Sequence, residues 1–196
     1  MFYRNRDKLQ KISVKTGIIF SRIGLTPNQW TFSAAIPALA GFYFLVDGDF
    51  ILASVFFLAS FFIDLVDGAV AKVTGKETKR GAYFDTIMDR YVEFLVLFGF
   101  ILIELPAFVL PSTAWIMLTL FGSFMTTYAK AAASEKKIVE KELKGGLLER
   151  AERLILLFIG VLAAAFNPLY LVYVLIVLSF LTNVTALQRM YYALRG

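Results

Sequence analysis

Apolar residues fill most of this chain in six long runs, which short polar or turn-forming segments separate. The runs cover residues 29–46, 50–72, 82–104, 108–133, 148–165 and 168–188. A helix needs about 20 mostly apolar residues to cross the hydrocarbon core of a bilayer. The pattern therefore predicts an all-α integral membrane bundle of six transmembrane helices. Because the connecting loops are too short to hold a soluble domain, we expect residues 1–196 to form a single domain.

The N-terminal segment has a different pattern. From Phe2 to Ile23, basic residues alternate with apolar ones at roughly helical spacing. Such a helix typically lies in the headgroup region with its apolar face towards the acyl chains. Residues 1–23 are therefore predicted to form an interfacial amphipathic helix, without the features of a signal peptide. We expect Thr26 to cap the next helix, which would begin at Pro27.

Charge placement predicts the orientation of the chain. The chain has 20 Lys and Arg residues, which lie in the N-terminal segment, the 72–80 and 134–147 loops, the C-terminus or adjoining helix ends. The alternate loops carry none. By the positive-inside rule both termini and the basic loops are cytoplasmic, as expected for a cell (inner) membrane protein. The net charge of +5 then reflects orientation and anionic lipid, so we expect no nucleic acid partner.

Four aspartates interrupt the apolar runs, at Asp64, Asp67, Asp85 and Asp89. A charged carboxylate inside a membrane helix costs a few kcal/mol, so it usually faces a partner, an ion or water. Spacings of three and four residues place each pair on one helix face, near the cytoplasmic ends. The chain has no Cys and no His. Oxygen ligands alone favour Mg²⁺ or Mn²⁺, and four carboxylates suffice for a two-metal site that clamps a phosphoryl group.

Three other interpretations of the aspartates stay open. Lys72, Arg80 and Arg90 could neutralise them without any ligand, although buried charge pairs of that kind are costly. The aspartates could also form the cation pathway of a channel or transporter. Against this, the outer halves of the predicted helices lack ionisable residues apart from those at their loops. A metal-bound scaffold without activity is the third.

The residues around the aspartates form a longer pattern. It runs Asp64, two residues, Asp67-Gly68, two residues, Ala71-Lys72, eight residues, Gly81, three residues, Asp85, three residues, Asp89. This pattern resembles the signature of the CDP-alcohol phosphotransferase family, except that Lys72 replaces the usual arginine. Lysine keeps the charge but loses the bidentate fork. The resemblance implies a helical membrane bundle, commonly a homodimer, that transfers a lipid phosphate from a CDP-linked lipid to an acceptor hydroxyl and releases CMP.

The resemblance also implies roles for individual residues. Asp64, Asp67 and Asp85 would bind the metals, and Asp89 would be the general base and share in metal binding. The residues expected to bind the CDP-lipid are Thr31, Asp67, Gly68, Ala71, Lys72 and Gly81. The small side chains among them leave room for a ligand near the backbone, or simply let helices pack closely. Thr31 belongs to TPNQWT, which is otherwise an ordinary helix start.

Three basic residues lie at the cytoplasmic ends of the fourth and fifth predicted helices and are candidates for binding the acceptor: Lys130, Arg150 and Arg153. Together they could bind an acceptor that carries a phosphate, or they could be snorkelling anchors. ERAER and YAK, which contain them, resemble stretches of the phosphatidylinositol-phosphate and archaetidylinositol-phosphate synthases of the family. This favours inositol 1-phosphate as acceptor, with glycerol 3-phosphate as the alternative. The donor stays open between CDP-diacylglycerol and CDP-archaeol.

Overall fold

The computed structural model describes residues 6–139 and 146–195, and these form eight helices without a β-strand. The helices are α1 Arg6–Ser21, α2 Pro27–Ser33, α3 Ala35–Asp47, α4 Phe50–Thr74, α5 Lys79–Leu102, α6 Ser112–Glu135, α7 Arg150–Ala164 and α8 Pro168–Arg195. The predicted all-α class is confirmed. Residues 1–5 of the predicted interfacial helix and residues 140–145 of the predicted basic loop lie outside the described residues.

Three helical stretches in the described part of the chain are long and apolar enough to cross a membrane: Pro27–Asp47, Phe50–Thr74 and Pro168–Arg195. Two of the other helices differ from these in charge or length. α5 carries Asp85, Asp89, Arg90 and Glu93, and α7 has 15 residues. The count of six spans, like the interfacial position of α1, stays a prediction.

The first predicted span is two helices, because the chain breaks at Ala34 between α2 and α3. Pro37 lacks the N–H that would bond to the carbonyl of residue 33, which weakens the helix at this point. The next carbonyl oxygen, that of Ala34, accepts from the Ala38 N–H at 3.3 Å and from Ser60 Oγ at 2.8 Å. The start of α2 agrees with the sequence, since Thr26 is the N-cap and forms a reciprocal capping box with Gln29.

By its contacts the chain divides into two compact units. The first comprises Met1–Tyr43 and Val55–Leu95, and the second comprises Phe44–Ser54 and Val96–Gly196. A cluster of Trp30, Val66 and Val70, flanked by Phe20 and Ile63, lies in the first unit. In the second, α8 packs against both α6 and α7. That the whole chain forms one domain stays a prediction.

Candidate active site

Three of the predicted aspartates come together in the first unit. One carboxylate oxygen from each of Asp64, Asp67 and Asp85 lies within 4.8 Å of the others. Asp67 is 5% exposed, whereas Asp64 and Asp85 are half-buried. Since α4 carries the first two and α5 the third, the group depends on the turn that joins these helices. The donors are carboxylate oxygens only, which fits a hard divalent cation such as Mg²⁺ or Mn²⁺.

The turn between α4 and α5 is tightly defined by its backbone. Gly75 has a φ of 63°, and the N–H of Lys76 donates to the carbonyl oxygen of Ala71 at 3.0 Å. This is the Schellman pattern that commonly ends a helix at glycine. Thr78 then starts α5, because its side-chain oxygen accepts from the N–H of Gly81 at 3.0 Å. The short turn brings the aspartate-bearing segments of α4 and α5 together.

Thr31 contacts the acidic group directly. Its hydroxyl donates to Asp67 Oδ2 and also lies 3.2 Å from the carbonyl oxygen of Pro27. Both Thr31 and Asp67 are buried. A hydroxyl bonded to a carboxylate in this way restricts the rotation of the carboxylate and directs its other oxygen. The structure thus places Thr31 beside a candidate metal ligand, a contact that the sequence did not indicate.

An open cavity of about 170 Å³ adjoins these residues. Its lining comes from α2, α4, the connecting turn and α5: Pro27, Asn28, Thr31, Asp67, Gly68, Ala71, Lys76, Glu77, Thr78, Gly81, Ala82 and Asp85. Five of the six residues expected to bind the CDP-lipid are among them. Lys72 is exposed and does not line the cavity.

Sequence reasoning missed four polar residues of this lining: Asn28, Lys76, Glu77 and Thr78. Their position in the sequence could have indicated them, because three of the four lie between the two halves of the aspartate pattern. Gly81 explains part of the arrangement. A Cβ at this position would lie 3.1 Å from Thr78 Oγ1 and 3.2 Å from Asn28 Oδ1. Glycine therefore lets these polar side chains approach the backbone of α5.

Asp89 is buried one turn beyond Asp85 on α5 and is not a member of the described group of three. Next to it, Arg90 Nη1 forms an ion pair with Glu93 Oε2 at 2.5 Å. Glu93 was also missed, although its spacing of four residues from Asp89 puts it on the same helix face. The pair provides Arg90 with a counter-ion other than the aspartate group.

The three residues expected to bind the acceptor all lie in the second unit. Lys130 on α6 and Arg150 at the start of α7 are half-buried. Arg153 is 2% exposed. A snorkelling arginine extends its charge into water or headgroups, so this burial argues against the anchor interpretation for Arg153.

Comparisons with known proteins agree with the family that the aspartate pattern resembles. The sequence model of the CDP-alcohol phosphatidyltransferase family matches residues 24–186. The chain is 34% identical to an archaetidylinositol phosphate synthase of Pyrococcus horikoshii, over 98% of this chain and 96% of that protein. It is 29% identical to a phosphatidylinositol phosphate synthase of Mycobacteroides abscessus, over 95% of this chain and 86% of the relative.

Solved structures give the same result. Phosphatidylinositol phosphate synthase of Mycobacterium tuberculosis with CDP-DAG bound superposes with a TM-score of 0.79 and 26% identity, covering 93% of this chain and 94% of the other. The same enzyme in complex with manganese and citrate has a TM-score of 0.79 and 25% identity, covering 93% and 88%. The resemblance found in the aspartate pattern is confirmed. The chain belongs to the CDP-alcohol phosphatidyltransferase family and is a membrane phosphotransferase of phospholipid biosynthesis.

Proposed function

We propose that this protein transfers a phosphatidyl-type group from a CDP-linked lipid to a hydroxyl of inositol 1-phosphate and releases CMP. The observation that carries the proposal is the convergence of Asp64, Asp67 and Asp85 to within 4.8 Å, beside a cavity lined by the signature residues. The donor is CDP-diacylglycerol or CDP-archaeol. The similarity to synthases of both archaetidylinositol phosphate and phosphatidylinositol phosphate supports the acceptor and leaves both donors open.

The carboxylates of Asp64, Asp67, Asp85 and Asp89 would hold two Mg²⁺ or Mn²⁺ ions. The oxygen-only donor set supports such hard cations, and a relative has been solved with manganese. When bound, such ions neutralise a diphosphate and stabilise the departing phosphate of CMP. Asp67 would keep its orientation through the hydroxyl of Thr31.

Asp89 is proposed as the general base. Its carboxylate takes the proton of the acceptor hydroxyl, and the acceptor oxygen forms a bond to the lipid-side phosphorus. The bond from that phosphorus to the bridging oxygen breaks, and CMP leaves with the electron pair. The position of Asp89, one turn beyond Asp85 and buried, supports this role because the base must lie beside the reacting centre and out of bulk water.

The cavity would hold the cytidine diphosphate of the donor. We assign Thr31, Gly68, Ala71 and Gly81 to its walls, with Asp67 at its metal end. Lys72, the sixth residue expected there, is assigned to the surface near the cavity mouth, where its charge acts at longer range. Lys76 takes the closer position, since it lines the cavity.

The acceptor phosphate is assigned to Lys130, Arg150 and Arg153. Arginine binds phosphate in a bidentate manner, and the burial of Arg153 keeps its charge away from competing water.

We further propose six spans, an interfacial helix at residues 1–23, cytoplasmic termini, a site at the cytoplasmic side of the cell membrane, and a homodimer. The distribution of Lys and Arg supports the orientation.

The test is CMP release by purified protein with Mg²⁺ or Mn²⁺. CDP-diacylglycerol and CDP-archaeol are each combined with inositol 1-phosphate, glycerol 3-phosphate, inositol and serine. Metal-dependent release with inositol 1-phosphate alone supports the proposal. Release with glycerol 3-phosphate instead would keep the transfer reaction and replace the acceptor. If no pair releases CMP and the protein conducts cations in proteoliposomes, the transporter interpretation is favoured. If it shows neither CMP release nor cation flux, the metal-bound scaffold without activity is favoured.

A further inference from the structure

The N-terminal helix α1 contacts the back of the aspartate-bearing segment through a glycine. A Cβ added at Gly17 would lie 2.6 Å from Val73 Cγ2 and closer still to the carbonyl oxygen of Ala69. Ala69 follows Asp67 by two residues on α4. Because one of the opposing atoms belongs to the backbone, no rotamer change can make room for a side chain at position 17. The two helices approach this closely only with glycine there.

One turn further along α1, Phe20 contacts α2. Its ring packs edge-to-face against Trp30 with centroids 5.5 Å apart, and against Phe62 of α4 at 5.7 Å. Trp30 is the neighbour of Thr31 in sequence and packs in the cluster with Val66 and Val70. The Phe20 contact therefore holds the helix that carries Thr31, while the Gly17 contact holds the helix that carries Asp67.

Both partners of the Thr31–Asp67 hydrogen bond are thus held from behind by the same helix. We infer that Gly17 is a positioning residue: its close contact with α4 sets the spacing between α2 and α4, and so the orientation of the Asp67 carboxylate. This inference rests on the proposed function, because it assigns Asp67 to metal binding. It adds that a residue outside the signature, on the N-terminal helix, controls that binding.

The experiment is Gly17→Ala in the full chain, with Mn²⁺ binding measured by the loss of the free-ion EPR signal. Pushing α1 away from Ala69 moves α4 relative to α2 and lengthens the hydrogen bond to Asp67. Removing an outer partner of a metal ligand typically weakens metal binding 10–100-fold, and a displaced partner should approach the lower figure. We expect about tenfold weaker Mn²⁺ binding, and CMP release that recovers when Mn²⁺ is raised.

The matched control is Gly41→Ala, another glycine in tight contact within the first unit. Its Cβ would lie 2.8 Å from Phe57 Cδ1, a contact that does not involve α1, Thr31 or Asp67. Gly41→Ala should lower the melting temperature without changing Mn²⁺ affinity. If both variants weaken Mn²⁺ binding, the effect of Gly17→Ala is a general loss of stability, and the inference is overturned. If neither variant weakens it, Gly17 does not control the metal site, and the inference is overturned as well.

Two further results separate this inference from the proposed function. If wild-type protein binds no Mn²⁺, the metal assignment and this inference are both overturned. If wild type binds Mn²⁺ and Gly17→Ala binds it equally well, this inference alone is overturned. Should Gly17→Ala fail to fold, Phe20→Leu serves as the second variant, because it removes the ring contact with Trp30 and keeps an apolar side chain. It must weaken Mn²⁺ binding in the same direction, and unchanged binding would overturn the inference.

Discussion

Arg90 Nη1 lies 2.5 Å from Glu93 Oε2 on α5, and Glu93 is 2% exposed. Breaking a buried ion pair by removing one partner leaves the other charge buried and costs about 3 kcal/mol or more. We therefore expect Glu93→Ala to lower the melting temperature of the purified protein markedly. The double variant Arg90→Met/Glu93→Leu, which removes both charges, should recover most of the loss. An unchanged melting temperature of Glu93→Ala would contradict this role.

The hydroxyl of Thr31 gives a second prediction. Thr31→Val keeps the branched shape but removes the hydrogen bond to Asp67 Oδ2. Outer partners of metal ligands contribute roughly 10–100-fold to metal affinity, so Mn²⁺ binding should weaken by that amount. Thr31→Ser retains the hydroxyl and should bind Mn²⁺ within a few-fold of wild type. If Val and Ser variants bind Mn²⁺ equally well, the hydroxyl does not orient the carboxylate.

Lys76 and Lys72 allow a direct comparison of two neighbouring cations. Both lysines are exposed, but only Lys76 lines the cavity, whereas Lys72 lies at the end of α4 outside it. A hydrogen bond to a charged group contributes about 1.5–3 kcal/mol, so Lys76→Ala should raise the KM for the CDP-lipid by roughly 10–100-fold. Lys72→Ala should change this KM less, because its charge lies outside the cavity and solvent ions screen it over the longer distance. Steady-state kinetics at saturating acceptor measure both, and a larger effect at Lys72 would reverse the assignment.

Substitution of Asp89 is expected to lower the rate of CMP release much more than the affinity for Mn²⁺. Asp89→Asn removes the proposed base while leaving Asp64, Asp67 and Asp85 in place. CMP release should fall by about 10²–10⁴-fold, the usual contribution of a general base, with most Mn²⁺ binding retained because the other three proposed ligands remain. Asp67→Asn is the contrasting variant, since it should lose Mn²⁺ binding and activity together. Loss of Mn²⁺ binding in Asp89→Asn as well would make Asp89 an essential metal ligand.

Much of the fold was predictable because a membrane helix needs a long apolar run, and such runs are easy to recognise. Helix boundaries were less accurate where the apolar run contained proline. Residues 108–111 were predicted to be helical, yet α6 begins at Ser112 after Pro111. Phe108 and Leu110 form an isolated bridge instead. Proline has no N–H and a fixed φ, so hydrophobicity alone misplaces the ends of such helices.

The candidate site was predictable to the extent that it depends on local spacing. Asp64 and Asp67 share a helix face by geometry, and the short turn brings Asp85 to them. Contacts between elements distant in sequence were not predictable in this way. The Thr31–Asp67 hydrogen bond joins residues 36 apart, and Lys76 reaches the cavity because of the fold of the turn. Only the packing of α2 against α4 places the hydroxyl beside the carboxylate.

Arg153 provides the test of the acceptor assignment. Arg153 is 2% exposed, and its backbone N–H donates to the carbonyl oxygen of Glu149 at the start of α7 at 3.1 Å. If the side chain binds the acceptor phosphate, Arg153→Ala should raise the KM for inositol 1-phosphate far more than the KM for the CDP-lipid.

Arg153→Lys is the matched variant, because it keeps the charge but loses the bidentate geometry. It should show an intermediate KM for inositol 1-phosphate with kcat largely retained. A purely structural role for Arg153 predicts something different, namely a lower melting temperature with both KM values changed alike. Measuring the two KM values and the melting temperature on the same preparations therefore distinguishes phosphate recognition from packing, and equal changes in both KM values would count against the acceptor site.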